Sequence, residues 1–265
     1  MEKNFTHTGL KKFFFEIYWI LKDTDKKVLE IWYETSEIRF FRKFNKSELR
    51  EFIDKFEFIT IKRGSYTNFI AINKILFIIE SSKYLDFDLH KFSDLVDFDG
   101  FEALILEILK QNGYRATKNF RFPDKSNFKL NTKQKRYEVD VIGIYDSFIL
   151  MIDAKQWKRK DVYGATSKAA NLQLQRAVAL EKNPEAVSTL IHQLLGYSHK
   201  LRLKLPLLLI PLICTLEDNW IKFNENFIPL VSIYSLNAFL QELRANLSYF
   251  NKIEIRKVLI QQPLL

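Results

Sequence analysis

Asp140, Asp153 and Lys155 have the residue types and spacing that suit metal-dependent hydrolysis. Tyr137-Glu138-Val139-Asp140-Val141-Ile142 reads as a strand. Period-two alternation puts Tyr137, Val139 and Val141 on one face and Glu138 and Asp140 on the other. Ile149 to Lys155 reads as a second strand, with Asp153 and Lys155 on one face and Ile152 and Ala154 opposite. A short turn through Tyr145-Asp146-Ser147 joins the two, so Asp140, Asp153 and Lys155 can converge at one sheet surface. Isolated charges there would cost several kcal/mol each unless paired or metal-bound. Two carboxylates and the backbone carbonyl of Ala154 make a hard-oxygen set suited to Mg²⁺, with waters filling the remaining octahedral positions. Lys155 beside such an ion can orient or deprotonate an attacking water and offset charge on a phosphate.

Plainer readings stand beside these. The acids can form ion pairs with Lys155. Glu102 lies three residues after Asp99, where a capping box accounts for it as well as chemistry does. Glu138 reads better as an exposed strand-edge glutamate than as a further ligand.

Elements must carry these residues into place. Phe101, Leu104, Ile105, Ile108 and Leu109 repeat at helical spacing, and Asn112-Gly113 stops that helix. A polar, strongly basic segment follows, then the two acid-bearing strands, helices over about 167–181 and 185–200, strands at Leu207–Cys214 and Ile228–Ile233, and a helix from Asn237. This order predicts an α/β core, a central sheet flanked by helices, over 96–265. The front of the chain, 1–95, reads as a small α+β accessory domain. It has a helix over 9–22, short strands at Val28–Thr35 and Ile38–Phe44, a helix opened by Ser47, and a hairpin turning at Arg63-Gly64-Ser65. That order is winged-helix-like, and Arg39 to Arg63 carries eight basic against four acidic residues. A mixed α/β domain with a solvated charged face fits the same pattern.

Over about 99–215 the chain resembles the PD-(D/E)XK nuclease superfamily, the restriction-endonuclease-like fold. The resemblance rests on Glu102 in the first helix, then Asp140, then Asp153-Ala154-Lys155, in that order and secondary-structure context. It looks most like the Mrr-type, Holliday-junction-resolvase-like and RecB-like members. The resemblance implies a central mixed sheet flanked by helices. It also implies that Asp140 and Asp153 hold Mg²⁺ or Mn²⁺, that Glu102 adds an acidic ligand, and that Lys155 is the catalytic lysine. The reaction implied is hydrolysis of a DNA phosphodiester by metal-activated water. Val139, not proline, precedes Asp140. RecB-like members carry Gln-x-x-x-Tyr after the lysine; Gln193 to Tyr197 fits those letters on the second helix, while the nearer helix offers Gln173, Gln175 and Arg176. Many relatives act as dimers, so a homodimer is within what the resemblance implies.

The charge supports a polyanionic partner. Across 265 residues Lys and Arg number 41 against 32 Asp and Glu, a net +9. From Arg115 to Tyr137 eight basic residues, among them Lys133, Lys135 and Arg136, face one acid, with Phe120, Phe122 and Phe128 between them. Lys158 and Arg159 follow the lysine motif. Cations flanking an acidic metal site suit a nucleic-acid backbone, and Gln193 is a further candidate contact. The alternative is an exposed basic loop over packed aromatics.

Other classes fall away. The longest nearly apolar run, Leu205 to Cys214, is short and broken by two prolines, so no membrane segment is expected. The run Phe13–Leu21 lacks a cleavage site, which points to the cytoplasm. One cysteine, Cys214, rules out an internal disulfide or a multi-cysteine zinc site. No Gly-rich phosphate loop or G-x-S-x-G elbow is present. The expected activity is a Mg²⁺-dependent deoxyribonuclease. The rivals are a catalytically silent nucleic-acid-binding protein on the same scaffold and a partner-binding α/β protein.

Overall fold

A computed structural model describes residues 7–84, 94–123, 136–156, 163–196, 204–218 and 222–259. The chain forms two compact units, Met1–Leu104 and Ile105–Leu265.

The first unit is built on phenylalanine. Helix α1 (His7–Lys22) buries Phe13, Phe14, Ile17 and Leu21. Strands β1 (Glu30–Glu34), β2 (Ile59–Arg63) and β3 (Asn68–Asn73) form an antiparallel sheet in the order β1-β3-β2. Helix α2 (Lys46–Ile53) lies before β2, and α3 (Lys74–Tyr84) follows β3 directly. The Phe13 ring sits 4.9 Å from Phe52 and 5.2 Å from Phe40, so α1 and α2 close over one aromatic core. Each such buried ring contributes about 2–3 kcal/mol. The fully buried Lys74 aims its ammonium at the carbonyls of Asp25, 2.7 Å away, and Leu95, 3.3 Å away. The unit is a small α+β arrangement in which the β2–β3 hairpin runs straight into α3.

One element differs from its expected type. Ile38–Phe44, read as a strand, is a 3₁₀ helix over Arg39–Lys43. The Glu16 carboxylate accepts the backbone N–H groups of Arg39 at 2.7 Å and Phe40 at 2.9 Å, which fixes the turn. Adjacent Phe40 and Phe41 are both buried, which strand alternation could not deliver. Helix α2 starts one residue before the expected Ser47. Asn45 accepts from the Ser47 and Glu48 N–H groups, and the Glu48 carboxylate accepts from the Asn45 N–H, a complete capping box.

The second unit is a mixed sheet flanked by helices. Its strands are β4 (Arg115–Pro123), β5 (Arg136–Tyr145), β6 (Phe148–Lys155), β7 (Leu207–Thr215), β8 (Leu230–Ser232) and β9 (Ile253–Ile255), ordered β4-β5-β6-β7-β8 with β9 also on β7. The pairs β4·β5 and β5·β6 are antiparallel, whereas β6·β7 and β7·β8 are parallel. The parallel step from β6 to β7 needs a crossover, supplied by α5 (Tyr163–Glu181) and α6 (Pro184–Leu195). Helix α4 (Phe98–Gln111) precedes β4 and ends as predicted, with Gly113 at φ 83. A last short helix, α7 (Leu236–Glu242), follows β8.

The basic segment after α4 is a strand and not a loop as far as Pro123, because Phe120 and Phe122 bury against β5 and α6. No helix among the described residues is long and apolar enough to cross a membrane. Cys214 lies buried in β7, where burial pushes its thiol pKa up.

Candidate active site

The acid-bearing hairpin owes its shape to a slip in its own alternation. Val139 packs with Phe120 and Phe122, yet further along β5 the residues in that same cluster are Ile142 and Ile144. Strict alternation from Val139 would have placed Val141 there, so the expected face assignment of Tyr137, Val139 and Val141 holds only up to Asp140. On β4 the recorded pairs step from Lys118↔Val141 to Phe120↔Val139, and the residue between, Asn119, sits at φ 55 in the left-handed region. Asparagine tolerates that conformation better than most residues. Asp140 is thus the β5 residue at a break in the sheet's regular pleat.

The β5·β6 ladder ends at Val141↔Ile152, and one step further Asp140 comes abreast of Asp153. The Asp140 side chain takes over from the ladder: its Oδ2 accepts the Ala154 N–H at 2.8 Å. Asp153 is 2% exposed and lies between two cations. Lys155 Nζ is 2.8 Å from its Oδ2, and Arg176 Nη1 from α5 is 2.8 Å from its Oδ1. The Arg176 nitrogen also donates to Gln173 Oε1 at 3.1 Å, while Gln173 Nε2 donates to the Met151 carbonyl at 2.8 Å. A buried glutamine on α5 thereby ties the guanidinium to the strand that carries Asp153.

Electrostatics set the two acids apart. Burial, and then the neighbouring Asp153 charge, push the Asp140 pKa up to about 6, although the Ala154 N–H, Lys155 and Arg176 pull it down. Asp153 is paired on both oxygens, with Lys155 and Arg176. Asp140 is the carboxylate with negative charge still to be neutralised.

The other expected residues are carried by α4, β5 and α6. Glu102 is 3% exposed on α4. The Asp99–Glu102 capping box is replaced: α4 begins at Phe98, and it is Asp97 whose carboxylate accepts the Gly100 N–H at 3.0 Å. Glu138 pairs with Arg121 at 3.0 Å on the strand surface, where both side chains are well exposed. Arg136 opens β5 and is exposed. Gln193 is exposed on α6, 3.5 Å from the Thr117 hydroxyl, and lines an open cavity of about 440 Å³ with Lys110, Arg115 and Thr117. Lys133, Lys135, Lys158, Arg159 and Tyr197 fall outside the described residues. The sequence offered Gln173 and Arg176 only as letters short of a motif. A clearer signal was available in the α5 stripe Ala170, Gln173, Ala177 and Leu180, where a lone amide sits among apolar residues at helical spacing, all fully buried.

Among the described residues no three or more His, Cys, Asp or Glu side chains gather closely enough to hold a metal ion. The carboxylates that adjoin are two, those of Asp140 and Asp153. Their chemistry fits a hard divalent cation that keeps most of its waters, because Mg²⁺ is commonly held by one or two carboxylates plus substrate phosphate. Burial first, and then the neighbouring Asp153 charge, raise the Asp140 pKa, and a bound cation would oppose both.

Comparisons with known proteins place this geometry. No curated protein matches the chain. Among solved structures, protein VC1899 from Vibrio cholerae aligns over 92% of this chain at 12% identity and a TM-score of 0.32; the chain spans about half, 52%, of that protein. A likeness of that degree carries no argument. Residues 100–231, which include the whole acid-bearing hairpin and α5, match the model of the nuclease-related domain. Through that stretch the chain belongs to the nuclease-related domain family, within the PD-(D/E)XK-like nuclease superfamily.

Proposed function

We propose that the chain hydrolyses phosphodiester bonds in DNA with the help of Mg²⁺ or Mn²⁺ held by Asp140 and Asp153. The observation that carries this reading is the convergence of Asp140, Asp153 and Lys155 at the end of the β5–β6 hairpin. When bound, the divalent ion would neutralise the carboxylate pair and polarise the scissile phosphate. The chain's own residues do the rest. Asp140 is held by the Ala154 N–H, which fixes the orientation of its carboxylate. Arg176, tied through Gln173 to Met151, keeps the Asp153 carboxylate from rotating. The Lys155 ammonium, beside Asp153, would offset negative charge that builds up on the phosphate. Arg136, with Lys133, Lys135, Lys158 and Arg159 of the flanking segments, supplies the nonspecific grip on the backbone. Gln193, beside Lys110 and Arg115, extends that grip along β4.

One observation favours a second reading, a catalytically silent nucleic-acid-binding protein: both Asp153 oxygens already meet cations, so this carboxylate is paired without metal. Two measurements separate the readings. Supercoiled and linear DNA incubated with Mg²⁺ or Mn²⁺ should be cut by the wild type, and at least about 100-fold more slowly by Asp153→Ala and Lys155→Ala. Equal rates in all three would sink the nuclease reading. Calorimetry should also show Mg²⁺ binding that Asp140→Ala and Asp153→Ala abolish, which a silent scaffold has no reason to possess.

A further inference from the structure

The geometry points to a duplex-DNA-binding face on the first unit, formed by α2, the 3₁₀ turn before it and the tip of the β2–β3 hairpin. This inference does not rest on cleavage, because its residues lie outside the stretch 100–231 that carries the nuclease-related match.

The face arises from how the unit packs. Helix α2 buries Phe52 and Ile53 in the aromatic core, which leaves Lys46, Ser47, Arg50 and Glu51 to solvent. The 3₁₀ turn buries Phe40 and Phe41 and so turns Arg39, Arg42 and Lys43 outward. Lys46 and Arg50, four residues apart, share one face of α2, and Lys43 closes the preceding turn with its ammonium 3.7 Å from the Phe40 ring centre. Helix α2 packs against β2, the strand that leads into the hairpin tip. At the tip Lys62, Arg63, Gly64, Ser65 and Tyr66 are all exposed, Tyr66 completely.

The tip is a formed structure. The Gly64 N–H donates to the Thr67 carbonyl at 3.0 Å, and a Cβ on Gly64 would come within 2.6 Å of that same oxygen. Glycine is therefore required for the tight turn that presents Lys62, Arg63 and Tyr66.

Charge and size select the partner. Eight exposed cations, Arg39, Arg42, Lys43, Lys46, Arg50, Lys55, Lys62 and Arg63, outnumber the exposed acids of the same stretch, Glu51, Asp54 and Glu57. Glu48 is spent on the Asn45 cap, and the Arg50–Asp54 pair is 3.9 Å long with both side chains about 70% exposed, so it holds Arg50 weakly. Eight helical residues span about 12 Å, which the major groove of B-form DNA admits. Ser47, Arg50 and Glu51 are types that hydrogen-bond base edges, while the cations and hairpin tip are placed for phosphates on either side. A helix with an adjacent basic hairpin suits two neighbouring grooves of a duplex. A single strand, which is gripped by stacking on aromatic platforms, would find only Tyr66 exposed on this face.

The test uses the full chain in EDTA, so that cleavage cannot interfere. Fluorescence anisotropy is read with a labelled DNA duplex, the same single strand and an RNA duplex, each at several salt concentrations. Lys43→Glu with Lys46→Glu, and Lys62→Glu with Arg63→Glu, are each expected to weaken DNA-duplex binding at least about tenfold and to lower the salt slope by about two. Lys22→Glu with Lys27→Glu, near the end of β3 remote from the hairpin tip, makes the same charge change away from it and is expected to cost less than about threefold. The milder Lys62→Ala with Arg63→Ala guards against misfolding and should weaken binding by about threefold, with an unchanged melting temperature. Equal losses in the control and face variants, or tighter binding of the single strand or the RNA duplex than of the DNA duplex, would overturn the proposal. Failure of the nuclease reading would instead appear as intact duplex binding without cleavage in Mg²⁺.

Discussion

Arg176 and Asp153 are joined across the second unit by a 2.8 Å contact between Nη1 and Oδ1, while Lys155 takes the other carboxylate oxygen at the same distance. The guanidinium therefore competes with any metal for Asp153, yet in its absence it keeps a buried carboxylate tolerable. Breaking a buried pair from one side costs about 3–5 kcal/mol; with Lys155 still in place, Arg176→Ala is expected to cost about 2 kcal/mol in EDTA. The proposed metal site adds a sign. Saturating Mg²⁺ should stabilise Arg176→Ala more than the wild type, because Oδ1 no longer has a competing donor. Urea unfolding with and without Mg²⁺ reads both effects. Identical Mg²⁺ increments in the two proteins would remove Arg176 from the site.

Asp140 gives a pH signature. Its folded pKa of about 6 lies above its ordinary 3.8, so between those values the folded state binds more protons than the unfolded one. Stability in EDTA must then fall as pH rises through that window, by about 3 kcal/mol from this group. Asp140→Asn keeps an acceptor for the Ala154 N–H, removes the charge, and should flatten that part of the profile while stabilising the protein above pH 7. Metal affinity should rise over the same window in the wild type. An unchanged slope between pH 4 and 6.5 in Asp140→Asn would refute the assignment.

What could be read from the sequence follows from the range of the forces involved. The hairpin of β5 and β6 and its acids were legible because the alternation of apolar and charged residues is local. The stripe Ala170, Gln173, Ala177 and Leu180 marks Gln173 as a buried amide, but its bond to Met151 and that of Arg176 to Asp153 depend on α5 crossing over β6, a tertiary fact that letter spacing does not contain. The 3₁₀ turn at Arg39–Lys43 was misread for the same reason, since the group that sets it, Glu16, lies more than twenty residues earlier. The break at Asp140 depends on the left-handed Asn119 of the neighbouring strand, and asparagine alone does not announce it.

The cavity beside β4 makes a separate prediction about binding strength. Lys110 and Arg115 line it with Gln193 and Thr117. If these cations meet phosphates, Lys110→Ala with Arg115→Ala should lower the salt slope of nucleic-acid binding by about one to two, uniformly across sequences. Gln193→Ala, which removes a neutral donor, should leave the slope alone and weaken affinity by less than about fivefold. Filter binding over a range of salt concentrations measures both; an unchanged slope in the double variant would take this cavity out of the nucleic-acid path.

Glu16 offers a test of what holds the first unit's cationic face in place. Its carboxylate accepts two backbone N–H groups, from Arg39 and Phe40, and so starts the 3₁₀ turn that sends Phe40 and Phe41 inward and Arg39, Arg42 and Lys43 outward. Glu16→Ala leaves both donors without that acceptor, at a cost of about 1–3 kcal/mol. Glu16→Gln retains a single acceptor oxygen and should recover roughly half of the loss. Because the turn sets the direction of three cations, duplex affinity should fall in the order wild type, Glu16→Gln, Glu16→Ala, even though the substitutions remove negative charge and would on charge alone strengthen binding. Anisotropy in EDTA with parallel urea unfolding decides between the two signs: tighter binding by Glu16→Ala would mean that the turn does not orient the face.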